Sequence, residues 1–398
     1  MGMGRMDYMS ARQAADKWGI SIRRVQMFLK DNRIEGAVLL GRFWMIPAGA
    51  KKPADPRMER NSDEKKSLLS DLLYMIETTV IPMPKDNPDA ILDTVSEDRL
   101  RLQFEGELAY MRGDFEQVIR CFEKTKGDDA ARIRACSLTI AAAISTGNYA
   151  LYTEIEAYLK DMIKSNIGAR MTAILELVLD IAYVSAIAPN MVSVWLKNGD
   201  FSALPSKARP DAAYKRSKYF QGLGKFESML VVAQSALAFY DFEEGISYPS
   251  IYLRVSCAAA CCALNEVDEA RRYLLDALRL SLPHGFITPF AESAAAFGGL
   301  LEQCLREEFP EYYDVITKQW QRTFINWTSF HNNFTKDNIT AMLSLHESHI
   351  ATLVSQRVPY KEIATQHNIS VGRVKNIMTE VYEKLLINNR EDLTKLLF

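Results

Sequence analysis

The chain has 398 residues, 48% hydrophobic and 25% charged, which is long enough for two or three cores and rules out a disordered, fibrous or disulfide-stapled protein. The net charge of −2 is unevenly spread. Residues 1–60 hold 12 Lys+Arg against 6 Asp+Glu, residues 357–398 hold 7 against 5, and the stretch between carries a net −10, a pattern that suits nucleic-acid contact at the two ends.

The first residues lack the apolar run of a signal peptide. The most apolar stretch, "MTAILELVLDIAYVSAIAPNMVSVWL", is interrupted by Glu176, Asp180 and Pro189, so buried helices are expected and no membrane span. Six cysteines without CxxC spacing point to a reducing, cytoplasmic setting.

In chain order, "SARQAADKWGISIRRVQMFLKDN" reads as two short helices. Ser10 and Gln13 make a capping-box pattern, Ala14 and Ala15 let a second helix cross closely, Gly19 suits a left-handed turn, and Ser21 caps the second helix. Ile22, Val25 and Leu29 predict its buried stripe, which leaves Arg23, Arg24, Gln26, Met27 and Lys30 largely outside it. Strands over Ala37–Leu40 and Phe43–Ile46, turning at Gly41-Arg42, form a wing that places Arg42 to reach a phosphate or the minor groove, with Trp44 and Ile46 as wing core. On "YMSARQAADKWGIS", "RIEGA" and "GRFWMIP", residues 8–53 resemble the winged helix-turn-helix of the excisionase/MerR-like group. That resemblance implies DNA contacts from Ser21, Arg23, Arg24, Gln26 and Arg42. A helical module that docks on another protein is the alternative.

A linker is expected at 54–64, where prolines and charges show no apolar period. From 65 to 335 the pattern is mostly helical. "RLRLQFEGELAYMRGDFEQVIRCFEKT", with Gly113-Asp114 at a turn, and "SIYLRVSCAAACCALNEVDEARRYLLDALRLSLPHGF", with Leu264-Asn265 at a turn, are tetratricopeptide-like units that bury their faces by stacking. Tyr214, Tyr219, Phe220 and Phe226 are candidates for an effector pocket, with interhelical packing as the plainer reading. "GLGKFE" lacks the phosphate-loop spacing and is read as lying inside a helical pattern. Cys257, Cys261 and Cys262 are read as small core residues, and "HESH" at 346–349 as a solvated helix face.

Residues 336–398 repeat the design of the N-terminal end. Asn368 stands where Gly19 stands, Ser370 where Ser21 stands, and Val374, Met378, Val381 and Leu385 make a buried stripe. On "KEIA", "IS", "VK", "VYEKL" and "NNREDLTKLL" this region resembles the LuxR-type helix-turn-helix, although "GRVKNI" departs from the usual polar pair before Val-Lys. The resemblance implies contacts to DNA from Val371, Gly372, Arg373, Lys375 and Asn376, and a backbone contact from Lys361. A folded relic that does not bind DNA is the alternative. "WLKNGDFSALPSKARPDAAYKRSKYFQGLGKFESML" and "LPHGFITPFAES" resemble, more weakly, the helical-repeat region of LuxR-type regulators.

The expected architecture is therefore mainly α: a tetratricopeptide-like solenoid flanked by an N-terminal winged helix-turn-helix (1–53) and a C-terminal four-helix LuxR-type module (336–398). The expected function is one-component transcriptional regulation. Its expected partners are double-stranded DNA, a second copy of the chain, a small effector or protein bound to the repeats, and RNA polymerase. No catalytic set, metal site or cofactor is legible, and no membrane partner is expected. The alternative is a peptide-binding adaptor whose terminal modules dock on partners.

Overall fold

The computed structural model describes residues 7–41, 43–53, 56–165, 167–240, 245–297, 299–336, 343, 345–367, 369–385 and 387–397. The fold is mainly α, with one small antiparallel sheet near the N-terminus. It divides into two compact units, Met1–Ser67 and Leu68–Phe398.

In the first unit, β1 (Tyr8–Met9) leads into α1 (Ala11–Trp18) and α2 (Ile22–Lys30), followed by β2 (Val38–Leu40) and β3 (Phe43–Pro47). The sheet order is β1-β3-β2, so the wing hairpin gains a third strand, pairing Met9 with Ile46, that two residues of sequence did not reveal. The capping box of Ser10 and Gln13 forms, and Gly19 adopts φ 64° at the tight turn. The small core joins Ala14, Ala15, Val25, Phe28, Leu29 and Ile46. The predicted stripe on α2 needs correction. Ile22 is 37% exposed, and Phe28 takes the place assigned to it. In the first helical turn Ile22 has no preceding turn to pack on, and Val25, Phe28 and Leu29 at i, i+3, i+4 make the continuous face.

The stretch expected as a linker carries the start of α3 (Pro56–Thr79), which runs from the first unit into the second. A proline in the first turn does not break a helix, because its missing N–H would have no intrahelical partner there. The second unit continues with α4 (Ile91–Thr94), α5 (Asp98–Met111), α6 (Phe115–Glu123), α7 (Asp129–Thr146), α8 (Tyr149–Lys164), α9 (Ala169–Ser185) and α10 (Val194–Asn198). There follow α11 (Arg209–Gly222), α12 (Phe226–Phe239), α13 (Tyr248–Ala263), α14 (Val267–Ser281), α15 (Thr288–Ser293), α16 (Leu300–Glu308) and α17 (Pro310–Thr335). Helices α5 and α6, α11 and α12, and α13 and α14 pack as neighbouring pairs, and the predicted turns fall where expected. Gly113 has φ 81° between α5 and α6, and Asn265 has φ 61° between α13 and α14. Gly224 (φ 66°) turns α11 into α12, so "GLGKFE" is a helix–helix turn and not the helix interior. The apolar 171–196 stretch becomes α9 and α10, and no helix among the described residues is long and apolar enough to cross a membrane.

Helix α17 lies across the ends of earlier helices. Asn326 Nδ2 donates to Ser145 O (2.9 Å), Trp327 Nε1 to Ser185 O (2.7 Å), and the His331 Nδ1–H to Ala186 O (2.9 Å). These carbonyls close α7 and α9 and have no intrahelical donors, so one long helix satisfies what two others leave open.

Buried polar groups lock the stack. Asp180 on α9 accepts from the Ser193 backbone N–H (2.9 Å) and from Ser193 Oγ, and burial pushes its carboxyl up to about 6. A carboxyl raised on folding contributes stability that is present at low pH and lost as pH rises through about 6. Asp180→Asn keeps one acceptor and removes the charge. Its melting temperature should exceed that of the parent at pH 8, by an amount reflecting up to roughly 3 kcal/mol, and match it near pH 4. Equal melting curves at pH 8 would refute the assignment.

The chain ends in α18 (Leu345–Ser355), α19 (Tyr360–Gln366), α20 (Val371–Leu385) and α21 (Arg390–Leu397). These four share a core of their own that includes Ile350, Val354, Ile363, Ala364, Val374, Met378, Val381 and Leu393. Ile377 joins the predicted stripe, whereas the Leu385 side chain and Asn368 lie outside the described residues.

Candidate functional site

The two ends of the chain make the same local structure. In the N-terminal copy, the Ile20 N–H donates to Ala15 O (3.1 Å) across the turn, and Ser21 Oγ accepts from the Arg24 N–H (3.3 Å). In the C-terminal copy, Ile369 donates to Ala364 O (2.9 Å), and Ser370 Oγ accepts from the Arg373 N–H (3.1 Å). Each turn thus closes on a small residue of the preceding helix, and each second helix starts on a serine cap.

On α2, Ser21, Arg23 and Gln26 are exposed, and Arg24 is half-buried with its guanidinium 5.7 Å from the centre of the Phe28 ring. Arg33 packs over the same ring at 5.3 Å, so Phe28 anchors two cations at the edge of the helix. Arg42, the predicted wing-tip contact, lies outside the described residues. The rest of the wing is apolar and exposed: Val38, Leu39, Leu40 and, at 77%, Phe43.

On α20, Val371, Gly372, Arg373, Lys375 and Asn376 all face solvent, as does Lys361 on α19. Arg373 has a loose ion pair with Glu380 (3.5 Å), and both side chains are about half exposed. Such a surface pair is worth little and yields readily to a competing anion. This module packs on the repeats through His349, whose ring meets Trp320 edge-on (5.2 Å), lies 4.7 Å from His367 and comes within 3.8 Å of Glu302. Glu347 is also buried. The "HESH" face is therefore turned inward at these two positions and not solvated, because α18 is the helix that meets the repeats; the His346 and Ser348 side chains lie outside the description.

Two openings can be placed among the described residues of the repeats. One, of about 340 Å³, is lined by Gln221, Phe226, Asn265 and Ala296 of the repeats and by Ser355, Gln356, Arg357 and Thr394 of the C-terminal module. The other, of about 110 Å³, lies between α3, α5, α7, α9, α11 and α13. Aliphatic side chains such as Ile76, Ile133, Ile174 and Val178 wall it, and Glu107, Arg134, Asp211, Lys215, Ser247 and Tyr248 supply its polar atoms.

Only part of the predicted aromatic set comes together. Tyr219 and Phe220 are neighbours (5.4 Å), and Phe226 lines the larger opening. Tyr214 is buried elsewhere, against Tyr252 (4.9 Å) and Tyr248 (5.9 Å). A helix turns 100° per residue, so four aromatics spread over 214–226 and a tight turn cannot all face one space.

Sequence reasoning missed Glu292. Its carboxylate accepts from Tyr110 Oη (2.6 Å), Ser145 Oγ (3.0 Å) and Tyr252 Oη (2.9 Å), tying α5, α7 and α13 to α15. Burial pushes this carboxyl up and all four tyrosines (110, 214, 248 and 252) well above their ordinary value, and it draws Lys218 down to about 8. Tyr248 and Tyr252, one turn apart on a helix otherwise lined with small residues, were the only signal. The cysteines fit the core reading. All six are free, and burial raises Cys257 and Cys262 to about 12 and Cys261 to about 11. Among the described residues no cluster of His, Cys, Asp or Glu has the geometry to hold a metal.

Comparison with known protein families, curated proteins and solved structures finds no match to this chain.

Proposed function

We propose that the chain is a one-component transcriptional regulator of the LuxR type, working in the cytoplasm, with a second, excisionase/MerR-like DNA-reading head at its N-terminal end. The observation that carries this reading is the duplicated turn and serine cap, with basic and amide side chains exposed at the start of both α2 and α20. An exposed helix N-terminus with such side chains suits insertion in the major groove, where arginine pairs with guanine and lysine anchors a phosphate. A homodimer sets like heads one duplex turn, about 34 Å, apart. An effector in the repeats shifts the population toward the DNA-competent arrangement, which then engages RNA polymerase.

Selection of bound sequences from a random duplex pool at near-physiological salt, using the intact chain, tests this. Two distinct elements at fixed spacing are expected. A single palindrome would leave one head for other partners, and no enrichment would overturn the proposal.

The adaptor reading draws support from one observation: the wing presents Val38, Leu39, Leu40 and Phe43, side chains suited to a protein partner. The two readings differ in salt response. DNA affinity set by phosphate contacts falls steeply with salt, by a log–log slope of about −0.9 per contact, whereas apolar docking is nearly indifferent to it.

A further inference from the structure

We infer that the smaller opening of the repeats binds a short aliphatic carboxylate, its carboxylate on Arg134 and its chain against Ile76, Ile174 and Val178. This rests on the reading of the repeats as the sensor and names the effector class. Three observations carry it.

First, the guanidinium of Arg134 is half-buried and committed at one corner only, where Nε donates to Thr79 Oγ1 (2.9 Å). Arg134 lines the opening together with the aliphatic side chains of Ile76, Ile174 and Val178. An arginine with both terminal nitrogens available is the natural bidentate partner of a carboxylate. Second, the neighbouring charges do not supply that partner. Lys215 and Asp211 neutralise each other at 2.8 Å, and Lys215 is also held by Leu177 O and Ser137 Oγ. Glu107 lies within electrostatic reach of Arg134 but forms no ion pair with it, and burial pushes its carboxyl up. Third, size bounds the ligand. A cavity of about 150 Å³ takes benzene, so 110 Å³ takes an occupant no larger than that, a carboxylate of about three or four carbons. The cavity wall also includes Leu72, Ile76 and Thr79 of α3.

The test uses the full chain and thermal unfolding with propionate and butyrate, alongside n-butylamine and n-butanol as matched cation and neutral probes. A saturable rise in melting temperature with the carboxylates alone is expected. Arg134→Met should weaken butyrate binding by about tenfold or more, as the fold-change corresponding to a charged hydrogen-bonded pair of about 1.5–3 kcal/mol. Glu107→Gln should retain it. Should Arg134→Met fail to fold, Val178→Phe, which fills the aliphatic end, must abolish the shift. No shift with any carboxylate, equal shifts with butylamine or butanol, or full binding by Arg134→Met or Val178→Phe would each overturn the inference. Binding is read without DNA. Carboxylate binding with no DNA recognition would sink the regulator reading alone, and DNA recognition with no carboxylate binding would sink this inference alone.

Discussion

Lys215→Ala is expected to destabilise the repeat unit by about 3–5 kcal/mol, the cost of removing one partner from a buried ion pair. Lys215 is 1% exposed, and its ammonium donates to Asp211 Oδ2 (2.8 Å), Leu177 O (2.8 Å) and Ser137 Oγ (3.2 Å). All three of its donors are used, so the residue ties α7, α9 and α11 together at one point. Alanine leaves a carboxylate facing an apolar cavity and a carbonyl with no donor, and it opens a void as well. Urea unfolding of the full chain, followed by circular dichroism, should show a midpoint well below that of the parent. Lys215→Met combined with Asp211→Leu removes both charges and restores volume, so it should recover most of the loss. A single variant within about 1 kcal/mol of the parent would refute this expectation, whereas a double variant as stable as the parent would mean the pair contributes nothing net.

The second large effect is expected on DNA. Arg373→Ala should cost about 1–3 kcal/mol of affinity for the selected element, roughly 5- to 150-fold, and relax the preference at one base position. Lys375→Ala should weaken binding to all sequences alike and lower the salt slope by about 1. The two behave differently because a guanidinium reads a base edge bidentately and an ammonium acts as a point charge. Both side chains are exposed, and the caps and core of the module do not use them, so the melting temperature should stay unchanged. Arg23→Ala with Arg24→Ala should remove a different element from the selected motif. Unchanged sequence preference in both sets would refute the two-head proposal.

What was legible in the chain was local. Ser10, Ser21, Gly19, Ser370, Gly113 and Asn265 act through hydrogen bonds and backbone angles within five residues of themselves, so their roles follow from neighbours in sequence. The helical periods of α2 and α20 were readable for the same reason, and the errors sit at their edges. Ile22 is exposed because a first turn is only half covered, which no periodicity records. The start of α3 was hidden because Pro56 and its charged followers look like a linker unless a helix is already known to begin there.

The tertiary structure alone decided the rest. Glu292 meets Tyr110 from 182 residues away, Lys215 meets Leu177 O from 38, and Asn326 reaches Ser145 O from 181. Nothing in the spacing of those residues announces the pairing. A buried polar group accepts whichever partner the stacking of helices delivers, and that stacking is set by apolar faces that are nearly interchangeable in sequence. The smaller opening has the same origin. Arg134 and Glu107 belong to separate helices with unremarkable patterns, and only the packing of those helices brings both to the lining of one opening among aliphatic side chains.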